Sequence, residues 1–192
     1  MKTLFISAAF AAAVLAPSAA SAQSIPSAVV AVVDLDRVTT ECNACRTASA
    51  ALKSQVSSFE TRRETLASSL QTEQKSIQTS IDALKGKQPD AALQQRVKAF
   101  QAKAQTSEQE LASQQAQIQR NQQYIQKQIQ DRLAPIYQQV MQRRGANLLV
   151  EVGATLATSQ SVDVTNDVLA SLNSALPSLI TTAPAQAAPQ GR

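Results

Sequence analysis

Apolar and polar positions along this chain follow two distinct rhythms. Residues 28–33 (Ala-Val-Val-Ala-Val-Val) form an unbroken, β-branched run after Pro26. Such a run predicts a short strand buried on both faces. Asp34-Leu35-Asp36 ends it, and Thr39 or Thr40 then stands where a helix cap is expected, with Glu41 favourable near the N-terminus. Beyond this point the rhythm changes to spacings of three and four: Leu52, Val56, Phe59, Leu66, Leu70, Ile77, Ile81 and Leu84. Arg63 and Glu73 occupy seam positions, so this is a heptad with polar interruptions.

Lys85-Gly86-Lys87-Gln88-Pro89-Asp90 is the strong turn signal in the middle of the chain. Gly86 suits a helix C′ position, Pro89 cannot continue a helix, and Asp90 can cap the next one. In the second run Val97, Ala104, Leu111, Ile118 and Ile125 recur every seven residues. The companion set starts as Leu93 and Phe100 but continues as Ser107, Gln114 and Asn121. Ile129, Leu133, Ile136 and Val140 carry the face onward, and Pro135 is expected to kink the helix near its end. Gly145 terminates it after Arg143 and Arg144. Leu148 to Val152 reads as a strand, and residues 154–160 as a candidate further strand. A short amphipathic helix follows with Val168, Leu169, Leu172 and Leu176 on one side.

Two helices of about 40 and 50 residues joined by a short connection are expected to run antiparallel. At 1.5 Å per residue each spans roughly 60 to 75 Å, against a radius of gyration of about 15 Å for a compact domain of this size. The pair is therefore expected to project as an arm. Its seam is thin: 21 of the 72 residues from Gln71 to Gln142 are Gln, which forms helix well but offers little apolar area. The short β segments bury too little to anchor such an arm alone, so self-association is expected through Val29, Val30, Val32, Val33, Leu148, Val150 and Val152. The fold class read from this pattern is α+β, mostly α: a long antiparallel coiled-coil hairpin arm on a small β body formed by oligomerisation. Residues 23–41 and 145–180 make the body, 42–144 the arm, and 181–192 a disordered tail.

Composition then narrows the function. There is no His and no Trp, so imidazole acid–base chemistry and His metal ligation are excluded. The four Gly residues are too far apart to cradle phosphates. No cofactor and no catalytic set is expected. Met1 to Ala22 has the form of a signal peptide, with Lys2, an apolar run over residues 4–16, and Ala20-Ser21-Ala22 as cleavage site. The expected product is an exported chain beginning at Gln23. Charge is uneven: residues 45–144 hold 15 Lys/Arg against 8 Asp/Glu, while the flanking expected mature segments are net acidic. Lys75, Lys85, Lys87, Arg96, Lys98 and Lys103 make a mildly basic arm tip. That charge predicts weak, salt-sensitive contact with anionic membrane surfaces or acidic partners. Export and scarce aromatics argue against nucleic acid.

The order of signal, Val-rich strand, long arm, strand and closing motif resembles the Skp/OmpH family of periplasmic chaperones. The residues that carry the resemblance are Val29 to Leu35, Asn147 to Val152, and Ser161 to Leu169 with its Asp-x-Thr-x-Asp-Val-Leu close. The resemblance implies a jellyfish-like homotrimer whose three arms cage unfolded outer-membrane proteins without ATP and aid their delivery to the outer membrane. Ile77, Ile81, Leu93, Phe100 and Tyr124 are the arm residues expected to lie outside the seam and touch clients. Cys42-Asn43-Ala44-Cys45 departs from this picture. In an oxidising compartment the pair is a candidate disulfide. A thioredoxin-like redox role would need a βαβ setting that this chain lacks, which favours a structural disulfide or free thiols. A client-free envelope scaffold is the competing reading of the arm.

Overall fold

The chain's central geometric fact is that its first strand has neighbours drawn only from the far end of the sequence. In the computed structural model, which describes residues 25–184, β1 (Val30–Val33) pairs in parallel with β2 (Leu148–Glu151), Val30 opposite Leu148 and Val33 opposite Glu151. On its other edge Val32 forms a bridge to Asp163, and its carbonyl accepts the Val164 N–H at 2.8 Å. β1 is thus flanked on both sides. Ala31, Val32 and Val33 are accordingly buried, as a continuous β-branched run should be. The expected signal segment lies outside the described residues.

Asp34 ends β1 and caps α1 (Leu35–Glu41), its carboxylate accepting the Arg37 N–H at 2.8 Å. The cap therefore sits five or six residues earlier than Thr39 or Thr40, whose hydroxyls instead donate back to carbonyls of the preceding turn. A short side-chain acceptor directly after an apolar run was the decisive signal, and Asp34 has it. Cys42 then breaks the helix with extended backbone and caps α2 (Asn43–Ala83), its sulfur accepting the Cys45 N–H. The Asn43 N–H is taken by the side chain of Asn173. Two of the four donors that a helix start leaves open are satisfied this way.

Lys85 and Gly86 have positive φ and turn the chain after α2. Asp90 caps α3 (Ala91–Arg144), accepting the Leu93 N–H at 2.8 Å. α3 carries Pro135 as an interior residue and closes on Gly145 in left-handed conformation. Along α2 and α3 the partners run in opposite numerical order. Gln55 meets Asn121, Arg62 meets Glu110, Glu73 meets Lys103, and Ser76 meets Arg96.

After β2 the chain makes two single-turn 3₁₀ helices, Val152–Ala154 and Gln160–Val162. The candidate strand over residues 154–160 does not form. Its Ser- and Thr-rich stretch has few β-branched apolar residues, and Leu156 points entirely into solvent. α4 (Thr165–Ala175) then lays Val168 and Leu172, both fully buried, against Val38, Cys42, Ile129, Leu133 and Val140. The core lies here, at the base of α2 and α3. Towards the turn only Leu66, Ile77, Leu93 and Ser107 are buried between the helices. Burial is therefore graded along the helix pair, dense at one end and sparse at the other.

The disordered tail is expected from residue 181, yet residues 177–184 lie along α2 and α3, with Leu179 packed on the core and Ala183 buried; residues 185–192 of the expected tail lie outside the described residues. The reason is hydrogen bonding rather than apolar content, and it is described below.

Leu172 is the largest fully buried side chain. Leu172→Ala should cost about 2–5 kcal/mol, read as a lower urea midpoint at unchanged denaturant slope.

Candidate functional site

Three surfaces carry the chemistry available to this protein: the flanks of the helix pair, the exposed edge of the small sheet, and the cysteine loop. The flanks are set by how the heptad spends its apolar residues. Of the five candidate client-contact residues, Ile77 and Leu93 are buried between α2 and α3, so the expectation that they lie outside the seam is corrected. Ile77 falls on the inward stripe because eleven residues, about three turns, keep it in phase with Leu66 on the same helix; Leu93 lies in the first turn of α3, next to the Asp90 cap. Ile81 is 40% exposed, and Phe100 and Tyr124 are half-buried. Ile81 is thus the most open of the set.

Polar groups cross the seam where apolar ones are missing. Arg62 grips Glu110 through two bonds of 2.7 and 3.0 Å. The Arg62 guanidinium, with help from Gln114, holds the Glu110 carboxyl below the usual carboxylate range. Lys103 donates to Glu73 and Ser69, and Arg96 to Ser76. Both belong to the basic tip set, so part of its charge is already engaged. Lys75, Lys85, Lys87 and Lys98 are exposed and form no ion pair among the described residues. Exposed ion pairs such as these fix register more than they stabilise.

The sheet edge is apolar. Val29, Val30 and Leu148 are 49%, 39% and 46% exposed, and Val30 and Leu148 are register partners on adjacent strands. Val32 and Val33 are buried, while Val150 and Val152 are half-buried. Of the strand residues expected to mediate self-association, Val29, Val30 and Leu148 are therefore the most available. Ile25 and Leu156 add further exposed apolar surface in this part of the chain. Open strand edges and clustered apolar side chains are features that proteins usually cover.

Cys42 and Cys45 are joined in a disulfide. Cys42 has no solvent exposure and Cys45 only 6%. A redox pair needs an attackable sulfur, and here the bond is enclosed by the core and serves the α1–α2 junction.

The closing motif Asp163-Val164-Thr165-Asn166-Asp167 ties the end of the chain to its beginning. Thr165 is buried, and its hydroxyl accepts the Asp34 N–H at 2.9 Å. Asp163 accepts the Thr165 N–H at 2.8 Å. Asn166 accepts from Arg37 at 2.6 Å, and Asp167 accepts from Arg144. The Thr165 hydroxyl and backbone N–H, then the Arg37 charge, hold the Asp163 carboxyl below its ordinary value. Thr165, Asn166 and Asp167 thus reach Asp34, α1 and α3 in turn, while the Asp163 side chain holds the Thr165 N–H within the motif.

A set of amide side chains escaped the sequence reading. Gln128 both donates to the Ile180 carbonyl (2.9 Å) and accepts its N–H (3.0 Å). Asn121 accepts the Ala183 N–H at 2.8 Å, Gln117 donates to the Ala183 carbonyl at 3.2 Å, and Gln55 donates to the Thr181 carbonyl at 3.2 Å. The available signal was Asn121 itself, a polar residue on a seam stripe that begins with Leu93 and Phe100.

No helix among the described residues is long and apolar enough to cross a membrane, and no group of three metal-ligating side chains occurs among them. The family model for OmpH, described as outer membrane protein (OmpH-like), matches residues 29–172. Comparison with curated proteins returns no match. Among solved structures, an OmpH-like chain from Caulobacter crescentus, described as an outer membrane chaperone, superposes with a TM-score of 0.67 at 21% identity. The alignment covers 82% of this chain and 90% of that one, and the likeness is one of fold.

The depressed Asp163 carboxyl stabilises the fold above the ordinary carboxylate pKa of about 4 and loses that contribution as pH falls through its lower folded value. Thermal midpoints of the parent should therefore drop between pH 5 and pH 3. Asp163→Asn, which keeps the acceptor for Thr165 but cannot titrate, should show a shallower drop.

Proposed function

This chain belongs to the OmpH-like outer membrane protein family, and from that premise we propose that it is an ATP-independent periplasmic holdase for unfolded outer-membrane proteins. In this reading the chain is exported and assembles as a homotrimer through the Val29, Val30 and Leu148 edge. α2 and α3 form an antiparallel hairpin arm that projects from the joint hub. Three arms enclose a client, keep it from aggregating, and aid its delivery to the outer membrane.

The observation that carries this reading is the burial gradient. The base of α2 and α3 is firmly packed, whereas beyond Leu66 the pair is held by few apolar contacts and by polar crossings such as Lys103 to Glu73. A pair built this way can bend, so cage volume can follow client size. Contacts to the client are individually weak and gain strength from enclosure, which raises effective concentration. Ile81, Phe100 and Tyr124 supply apolar contact, and the free lysines near the turn speed capture of acidic segments and favour weak contact with anionic membrane surfaces. A rigid envelope spacer would instead need a continuous apolar seam up to the turn.

Turbidity of an outer-membrane protein diluted out of urea should fall when one trimer equivalent of the chain is present, without ATP; unchanged turbidity would reject the holdase reading. Val30→Asp combined with Leu148→Asp should convert the native mass from trimer to monomer, measured by native mass spectrometry, with helical circular dichroism retained.

A further inference from the structure

The amide side chains that hold residues 177–184 have an unusual target. They bind the main chain. Gln128 takes both backbone groups of Ile180, Asn121 and Gln117 take one each of Ala183, and Gln55 takes the Thr181 carbonyl. The amides are themselves ordered by one another. Asn121 donates to Gln55 at 2.8 Å, and Gln117 donates to Asn121 at 2.7 Å. Asn121 is 97% buried, being 3% exposed. Meanwhile the Ile180 side chain is 59% exposed and Thr182 also faces solvent. Leu179 packs on the core at the start of the segment, but from Ile180 to Ala183 the grip is on groups that every polypeptide shares, with only small Ala183 buried. Beside Thr182 lies a shallow, open depression of about 550 Å³ whose lining includes Phe59, Ile118, Gln114 and Arg62.

We infer that this track, on the face of α2 and α3 above the core, is a binding site for extended polypeptide read through its backbone amides, with residues 177–184 as its resident occupant and a segment of unfolded client as its exchangeable one. The occupant is an extended unfolded chain because the donors and acceptors match main-chain groups three residues apart, a pattern that helical or folded partners keep for themselves. The identity of the client rests on the holdase reading; the site itself does not. An internal occupant lowers apparent affinity by the fraction of time it is bound. It thereby shields buried amides that would be costly to leave unpaired.

The test uses the full chain and a fluorescein-labelled peptide of the strap sequence, Pro177 to Pro184. Ile180→Pro with Ala183→Pro removes both backbone N–H donors of the resident segment and should release it, so fluorescence anisotropy should show the peptide binding this variant at least tenfold more tightly than the parent. Adding Asn121→Ala and Gln128→Ala to the released variant should remove that gain. Independently of any protein variant's folding, a peptide N-methylated at the residues equivalent to Ile180 and Ala183 should bind at least tenfold more weakly. An outer-membrane protein diluted from urea should displace the unmodified peptide. Equal peptide binding by parent and released variant, full binding of the N-methylated peptide, or failure of the client to displace the peptide would each overturn the inference. Suppression of client turbidity by the parent chain is measured alongside. Suppression without the peptide effects sinks this site alone, and absent suppression sinks the holdase reading.

Discussion

Everything in this protein depends on β1 finding its two neighbours. A four-residue strand has little to hold it, and its partners in β2 and at Asp163–Val164 lie beyond the whole of α2 and α3. The closing motif reinforces the same junction from the side-chain level, with Thr165 reaching the Asp34 N–H and Asn166 reaching Arg37. α4 then covers the assembly with Val168 and Leu172. Strand, cap, motif and helix are parts of one clamp that closes the chain on itself.

Seen from that clamp, the burial gradient in α2 and α3 has a direct cause. Apolar residues on α3 are concentrated from Ile125 to Val140, where α1, α4 and the start of α2 share them as neighbours. Farther out, each helix has only the other to touch, and two helices in contact can bury one narrow stripe each. Ser107 and Asn121 on that stripe reduce it further. The polar crossings keep the helices in register where apolar contact is sparse. Dense and sparse packing thus occupy opposite ends of the same two elements.

Much of this was legible in the residues. The Val-rich strand, the turn at Lys85 to Asp90, the Asp90 cap, the Gly145 stop and the α4 face all followed from local rules that tertiary contacts did not override. What failed had particular reasons. The Thr39 or Thr40 cap was misplaced because α1 is only seven residues long and shows no periodicity of its own. Residues 154–160 kept no strand because no buried face was offered to them. Ile77 and Leu93 could not be separated from surface positions without knowing the rotation of one helix against the other. The resting place of residues 177–184 was hidden most deeply, since Gln and Asn on a polar helix look solvated in sequence, and their partners are backbone groups that carry no sequence signature.

The parallel pairing of β1 and β2 also bears on how the molecule matures. Partners 118 residues apart, as Val29 and Asn147 are, would face a closure entropy of about 4 kcal/mol in a flexible coil. Helices that zip upward from the central turn deliver both strand ends to the same place, so the distance that matters shrinks before the strands meet. Until β2 at Leu148–Glu151 has emerged, however, the valine strand has no one to pair with. A protein of this architecture therefore begins its own life as an orphan strand, open to pairing with other copies before its own partners exist.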